Sequence, residues 1–173
     1  MWMTTLTAFA EEPIRFTHLT LRDGLSNNSV YQMAQDSRGF MWVGTFSGLN
    51  RYDGNRIDIF RPEPMDPDSI SGSVIFVILE DQHGRIWVGT DGGGLNRYDV
   101  AADVFSSYLP DDTGPHTIPS AKVFSVEEGR AGRIWVGTGD AGFAILNPEN
   151  DRFTNYRATA TAGLESDVIR VIV

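Results

Sequence analysis

The sequence predicts an all-β fold made of β-propeller blades, and three observations lead there. The first is repetition. Trp-Val-Gly-Thr occurs at Trp42–Thr45, Trp87–Thr90 and Trp135–Thr138, so its tryptophans lie 45 and 48 residues apart. The second is that each interval holds four short runs rich in β-branched and aromatic residues, bounded by Gly, Asp, Asn or Pro. The third is the supply of turn formers, 18 Gly and 8 Pro in 173 residues. Four antiparallel strands per ~45 residues describe a propeller blade. Neither a solenoid nor a sandwich naturally divides that way.

The first strand of each unit is expected at Val30–Gln35, Val74–Glu80 and Val123–Glu127, and the second at Phe40–Thr45, Arg85–Thr90 and Arg133–Thr138. The third falls in the shared pentapeptides Leu49–Asp53 and Leu95–Asp99, and in a drifted copy, Phe143–Asn147. The fourth is Arg56–Phe60, Val104–Tyr108 and Arg152–Tyr156. Val74–Leu79 is continuously apolar, which suits a strand buried on both faces. Each Trp offers a large rigid surface for packing one blade on the next. Gly44, Gly89 and Gly137 lie two residues on, on the same sheet face, where a missing side chain admits a close neighbour. The turns Asp36–Gly39, Asp81–Gly84 and the longer Glu128–Gly132 read as hairpin connections.

The ends do not close a ring. Residues 13–22 read as the outer strand of a shared closing blade, because Ile14–Leu19 resembles Phe105–Tyr108 and Phe153–Tyr156. Residues 23–62, 63–110 and 111–160 then form three blades, and 161–173 supply the first strand of another. The expectation is an incomplete arc of three blades plus flanking strands, a fragment whose partners include the remaining blades of a parent chain. Residues 1–12 read as a signal-peptide remnant, since Ala8-Phe9-Ala10 has the small-residue pattern of a cleavage site.

Charge and composition narrow the function. Fourteen basic against 23 acidic residues, a net charge of −9, argue against nucleic acid as a partner. With no cysteine there is no disulfide framework and no thiolate chemistry. No apolar run reaches the ~18 residues of a membrane helix. Gly-x-Ser-x-Gly and His-Glu-x-x-His are both missing, so no catalytic residue, metal ligand or cofactor is expected. His18, His83 and His116 fall in a flanking strand, a hairpin turn and a loop between blades.

Asp23-Gly24-Leu25-Ser26-Asn27-Asn28-Ser29-Val30, Gly39–Thr45 and Gly48–Gly54 resemble two-component regulator propeller repeats, and the likeness runs from about Ile14 to Val173. The third unit departs from the pattern in its third strand and in its longer first turn. The resemblance implies a sensor region that is not an enzyme, lying in the periplasm as part of an inner-membrane receptor and responding to carbohydrate breakdown products. It leaves room for a homodimer. Two other readings stay open: a propeller lyase resembling the streptogramin-cleaving group, and a protein-docking scaffold.

In an up-and-down blade, the second-to-third turns and the blade-to-blade connections share one face. That face is expected to gather Ser26, Asn27, Asn28, Asp68, Ser71, His116 and Ser120 from the connections. From the turns it gathers Phe46, Ser47, Asp91 and Asp140. Carboxylates, amides and an aromatic ring suit a small-molecule or oligosaccharide ligand. The candidate ligand-binding set is Ser26, Asn27, Asn28, Phe46, Asp68, Ser71, Asp91, His116 and Asp140.

Overall fold

A computed structural model describes residues 16–111 and 116–173, so the signal-peptide reading of residues 1–12 lies outside the described residues. The chain forms three four-stranded antiparallel sheets, each a simple meander. The first is β1 (Val30–Gln35), β2 (Met41–Thr45), β3 (Gly48–Tyr52) and β4 (Ile57–Phe60). The second is β5 (Ile75–Glu80), β6 (Ile86–Thr90), β7 (Leu95–Asp99) and β8 (Val104–Tyr108). The third is β9 (Val123–Glu128), β10 (Ile134–Thr138), β11 (Phe143–Asn147) and β12 (Arg152–Tyr156). Neighbouring sheets approach along their first strands, β1 on β5 and β5 on β9, so those strands form the inner edge of an unclosed arc.

Two cores sit between blades rather than within them. Between blades 1 and 2, Trp42 and Leu49 meet Ile75, Ile78, Ile86, Val88 and Phe105, and Trp42 packs edge-on to Tyr98 at 5.3 Å. Between blades 2 and 3, Trp87 and Leu95 meet Val123, Val126, Ile134, Val136 and Phe153. The glycine of the repeated tetrapeptide makes this contact close. A Cβ on Gly44 would lie 2.7 Å from Ile75 Cγ2, and one on Gly137 would lie 2.8 Å from the Ile169 carbonyl oxygen. The threonine of the tetrapeptide seals the next turn. Thr45 Oγ1 donates to the Gly48 carbonyl at 2.9 Å, Thr90 to Gly94 at 3.0 Å and Thr138 to Gly142 at 2.7 Å.

The flanking strands depart from expectation. Residues 16–20 form no strand, and Leu21–Asp23 is a 3₁₀ turn capped by Thr20, whose N–H and hydroxyl both donate to Asp23 at 2.8 Å. Val168–Val173 is likewise outside any sheet. A strand needs a paired neighbour to satisfy its backbone, and no described second strand lies beside either segment. Residues 164–170 nevertheless dock as the earlier units do. Gly142 N–H donates to the Asp167 carbonyl at 2.8 Å, as Gly94 donates to Ala121 at 2.8 Å, and Ile169 N–H donates to Thr138.

Candidate functional site

The connections between blades do meet the second-to-third turns, but largely through the fold's own hydrogen bonds. Ser26 is buried; its N–H donates to Asn50 Oδ1 at 2.8 Å, and its hydroxyl meets Thr45 Oγ1 at 2.8 Å. Ser71 repeats the arrangement, its N–H reaching Asn96 Oδ1 at 2.9 Å and its hydroxyl donating to the Gly93 carbonyl. Asn27 is held from both ends, donating to Ser47 Oγ at 3.0 Å and accepting from Ser29 N–H at 2.8 Å. The amide oxygen of Asn28 accepts from Leu21 N–H at 3.2 Å, and Ser120 accepts from Lys122 N–H at 2.9 Å. These short polar side chains close turns beside backbone donors, as Asn and Ser readily do.

The remaining candidates divide into two groups. Phe46, Asp91 and Asp140 stand exposed on the second-to-third turns, and Asp91 lies 3.5 Å from Lys122 Nζ across the boundary between blades 2 and 3. Asp68 and His116 lie elsewhere. The Asp68 carbonyl accepts from Phe105 N–H in outer strand β8, and the His116 carbonyl from Phe153 N–H in outer strand β12. These connections run along the outer strand before crossing inward, so both residues sit at the rim of the arc. His83 lies apart, in the first turn of blade 2, and among the described residues no three His, Asp or Glu side chains are grouped to hold a metal.

A buried carboxylate and a partly exposed arginine flank each of the first two tryptophans. Trp42 Nε1 donates to Asp36 at 3.0 Å and Trp87 Nε1 to Asp81 at 2.8 Å, while Arg38 and Arg85 pair with the same carboxylates at 2.9 and 2.6 Å. Burial pushes each of these carboxyls up. The indole N–H, the arginine and nearby backbone N–H donors outweigh it, so both are held below the ordinary aspartate value. Tyr98 moves the other way, to about 12, through burial and its hydrogen bond to Asp103. Its oxygen accepts from Arg51 at 2.7 Å, and the guanidinium of Arg51 also lies over Trp42 at 5.8 Å. Two further bonds cross between blades at the opposite turns: Ser37 N–H donates to Glu80 and Gln82 N–H to Glu128, both at 2.7 Å. The Arg51–Tyr98 bond and the turn bonds tie neighbouring blades together, while the Trp–Asp–Arg groups brace the first hairpin within blades 1 and 2.

Two features were not singled out by the sequence reading. On the open face of blade 3, a cleft of about 600 Å³ lies beside Trp135, Ile145 and Ile172. On the inner edge, the second residue of each first strand is aromatic: Tyr31, Phe76 and Phe124. The signal was present as an aromatic directly after the leading Val or Ile of each strand. Amid continuous apolar runs it reads as core.

Comparison with known proteins agrees with this architecture. The family described as "Two component regulator propeller" matches residues 24–47, 69–92 and 117–140, one segment in each blade. A 56-residue stretch, 32% of the chain, is 48% identical to histidine kinase P4 of Formosa agariphila and covers 4% of that protein. The fold superposes on the extracellular domain of the hybrid two component system BT3049 from B. thetaiotaomicron with a TM-score of 0.84 and 28% identity, over 90% of this chain and 22% of that one. The extracellular domain of BT4673 from the same organism gives 0.70 and 27%, over 84% and 21%. The chain thus spans about a fifth of the length of these structures. Each of the three blades thus carries one segment similar to the two component regulator propeller family, and Trp42 and Trp87 of those segments sit in the cores between blades.

Proposed function

We propose that this chain is a non-catalytic, ligand-sensing propeller segment of an extracytoplasmic receptor in two-component signalling, and that its ligand is a carbohydrate. The observation that carries the reading is the superposition of nearly the whole described arc on the extracellular domain of a hybrid two component system. Ser26, Asn27 and Ser71 are engaged in turn and blade contacts, which leaves the exposed turn residues to meet a ligand. Exposed Phe46, Asp91 and Asp140 are left to meet a hydroxyl-rich small molecule or oligosaccharide. Further blades of a parent chain, or a second copy, would complete the surface beyond the open faces.

Calorimetric titration of the full chain with a panel of neutral and acidic oligosaccharides tests the ligand class. Binding that Phe46→Ala weakens several-fold is the expected result, and a flat trace across the panel overturns the carbohydrate reading. The location is tested by protease treatment of cells whose outer membrane has been opened. The epitope-tagged chain should be digested while the inner membrane is intact, and full protection overturns the extracytoplasmic assignment.

A further inference from the structure

Tyr31, Phe76 and Phe124 take part in neither blade core, yet the fold repeats their placement three times. In blade 1, Val30 pairs with Thr45 and Gln32 with the adjacent Gly44, which leaves Tyr31 as an extra, unpaired residue. Phe76 is skipped in the same way between Ile75 and Val77, and Phe124 between Val123 and Ser125. A bulge of this kind interrupts the ladder and re-aims one side chain. Here it presents an aromatic ring on the inner edge in every blade. The rings touch in sequence, Tyr31 on Phe76 and Phe76 on Phe124, each pair edge-to-face at 5.1 Å.

The row continues with a charge. Arg170 follows Leu164 by six residues, as Phe124 follows Ile118, so it occupies the same position in the next unit. Its guanidinium stands 5.3 Å from the Phe124 ring centroid and makes no ion pair among the described residues. The row also lies next to the turns that carry the exposed polar residues: a Cβ on Gly139 would come 3.0 Å from Phe124 Cε2. Asp140 follows that glycine, and the Asp91–Lys122 pair bridges the same boundary.

We propose that this inner row is the ligand-contacting rail of the arc, and that it takes a hydroxylated ring bearing an anionic group, that is, an acidic sugar. The aromatic rings offer π surface to the C–H face of a saturated ring. Arg170 supplies a planar fork of donors for a carboxylate, and Asp91, Asp140 and Lys122 above the row are partners for hydroxyls. The proposal rests on the reading of this arc as a carbohydrate-responsive sensor and names the class of sugar.

The test titrates the full chain with digalacturonate, neutral galactobiose and inorganic sulfate. Digalacturonate is expected to bind about ten-fold tighter than galactobiose, with sulfate weaker than either. Phe76→Ala and Phe124→Ala should each weaken it by roughly 3–10-fold, and Phe124→Leu, which preserves bulk, should weaken it similarly while the chain stays folded by circular dichroism. Arg170→Gln should abolish the preference for acid over neutral sugar, and Arg170→Lys should retain part of it. Equal binding of acidic and neutral sugar overturns the proposal. So do ring substitutions that lower the unfolding midpoint yet leave binding unchanged, because the row then only fills space. Heat from neutral oligosaccharides that the rail variants leave unaltered removes the rail and leaves the sensor reading standing. No heat from any sugar removes both.

Discussion

Blades 1 and 2 tie the N–H of their tryptophans to a carboxylate, whereas blade 3 lays its own against a phenylalanine ring. Asp36 and Asp81 stand six residues before Trp42 and Trp87, but Gly129 holds that place before Trp135. Arg51 and Arg97 pair across the sheet with the first two tryptophans, and Ile145 with the third. Leu49 and Leu95 become Phe143, which stacks nearly parallel to Trp135 at 5.6 Å and to Tyr156 at 4.7 Å. The same backbone meander therefore fixes an indole in two ways: Trp42 and Trp87 add hydrogen bonds to a carboxylate to their stacking on Phe60 and Tyr108, while Trp135 stacks on Phe143. The difference follows position. Trp42 and Trp87 are fully buried against a following blade, while Trp135 is half-buried on the open face.

Truncating the tryptophans should break the equivalence most sharply. Trp87→Ala removes the centre of the core between blades 2 and 3 and is expected to cost ~3–5 kcal/mol in denaturant unfolding. Trp135→Ala, losing a ring that is already partly exposed, should cost about 1–2 kcal/mol. Equal losses would mean that the open face is covered in solution as fully as the inner ones.

The carboxylates come next. Asp81→Ala should cost about 1.5–3 kcal/mol at neutral pH, because the Trp87 indole loses a charged acceptor and Arg85 its partner. Since the folded-state pKa lies below the ordinary aspartate value of 3.8, the unfolded chain binds the proton more readily. The stabilisation is therefore complete above that value and drains away as pH falls through the folded-state pKa. The gap between wild type and Asp81→Ala should narrow in the same window; a constant gap would show that packing, not charge, carries the effect. Placing Gly129→Asp in blade 3 should not rescue anything, because a Cβ there collides with the Trp135 indole.

The repeat itself was plain in the sequence because Trp-Val-Gly-Thr must do three things at once: fill the next interface, let its first strand in, and cap a turn. Residues under that many constraints stay recognisable. Asp36 and Asp81 read only as turn formers, since their bond to an indole six residues later appears once the hairpin is folded. The candidate site was less legible. Ser26, Asn27 and Ser71 look available as letters, but the folded turns bring partners to them: the Thr45 and Asn50 side chains to Ser26, the Ser29 N–H to Asn27 and the Gly93 carbonyl to Ser71. Asp68 and His116 were displaced to the rim by a connection that first follows the outer strand. The aromatic row was hidden by its bulges, for a one-residue skip is invisible in an apolar run.

The finest test of the comparison concerns a pair of changes that occur together. Ser26 and Ser71 each donate a backbone N–H to the side chain of Asn50 or Asn96. In blade 3 the donor position is Pro119, which has no N–H, and the acceptor position is Ala144, fully buried. Losing both partners leaves nothing unsatisfied, whereas losing either one would strand a polar group. Ala144→Asn alone should therefore destabilise by about 1–3 kcal/mol, from a buried amide without its donor. Pro119→Ser alone should change stability by about 1 kcal/mol or less, through a connection N–H with no acceptor. The double variant should recover roughly 1 kcal/mol relative to the sum, read as the coupling energy of a double-mutant cycle. Strict additivity would mean that the two blade types differ at these sites independently, and that blade 3 did not exchange one complete hydrogen-bonded unit for an apolar one.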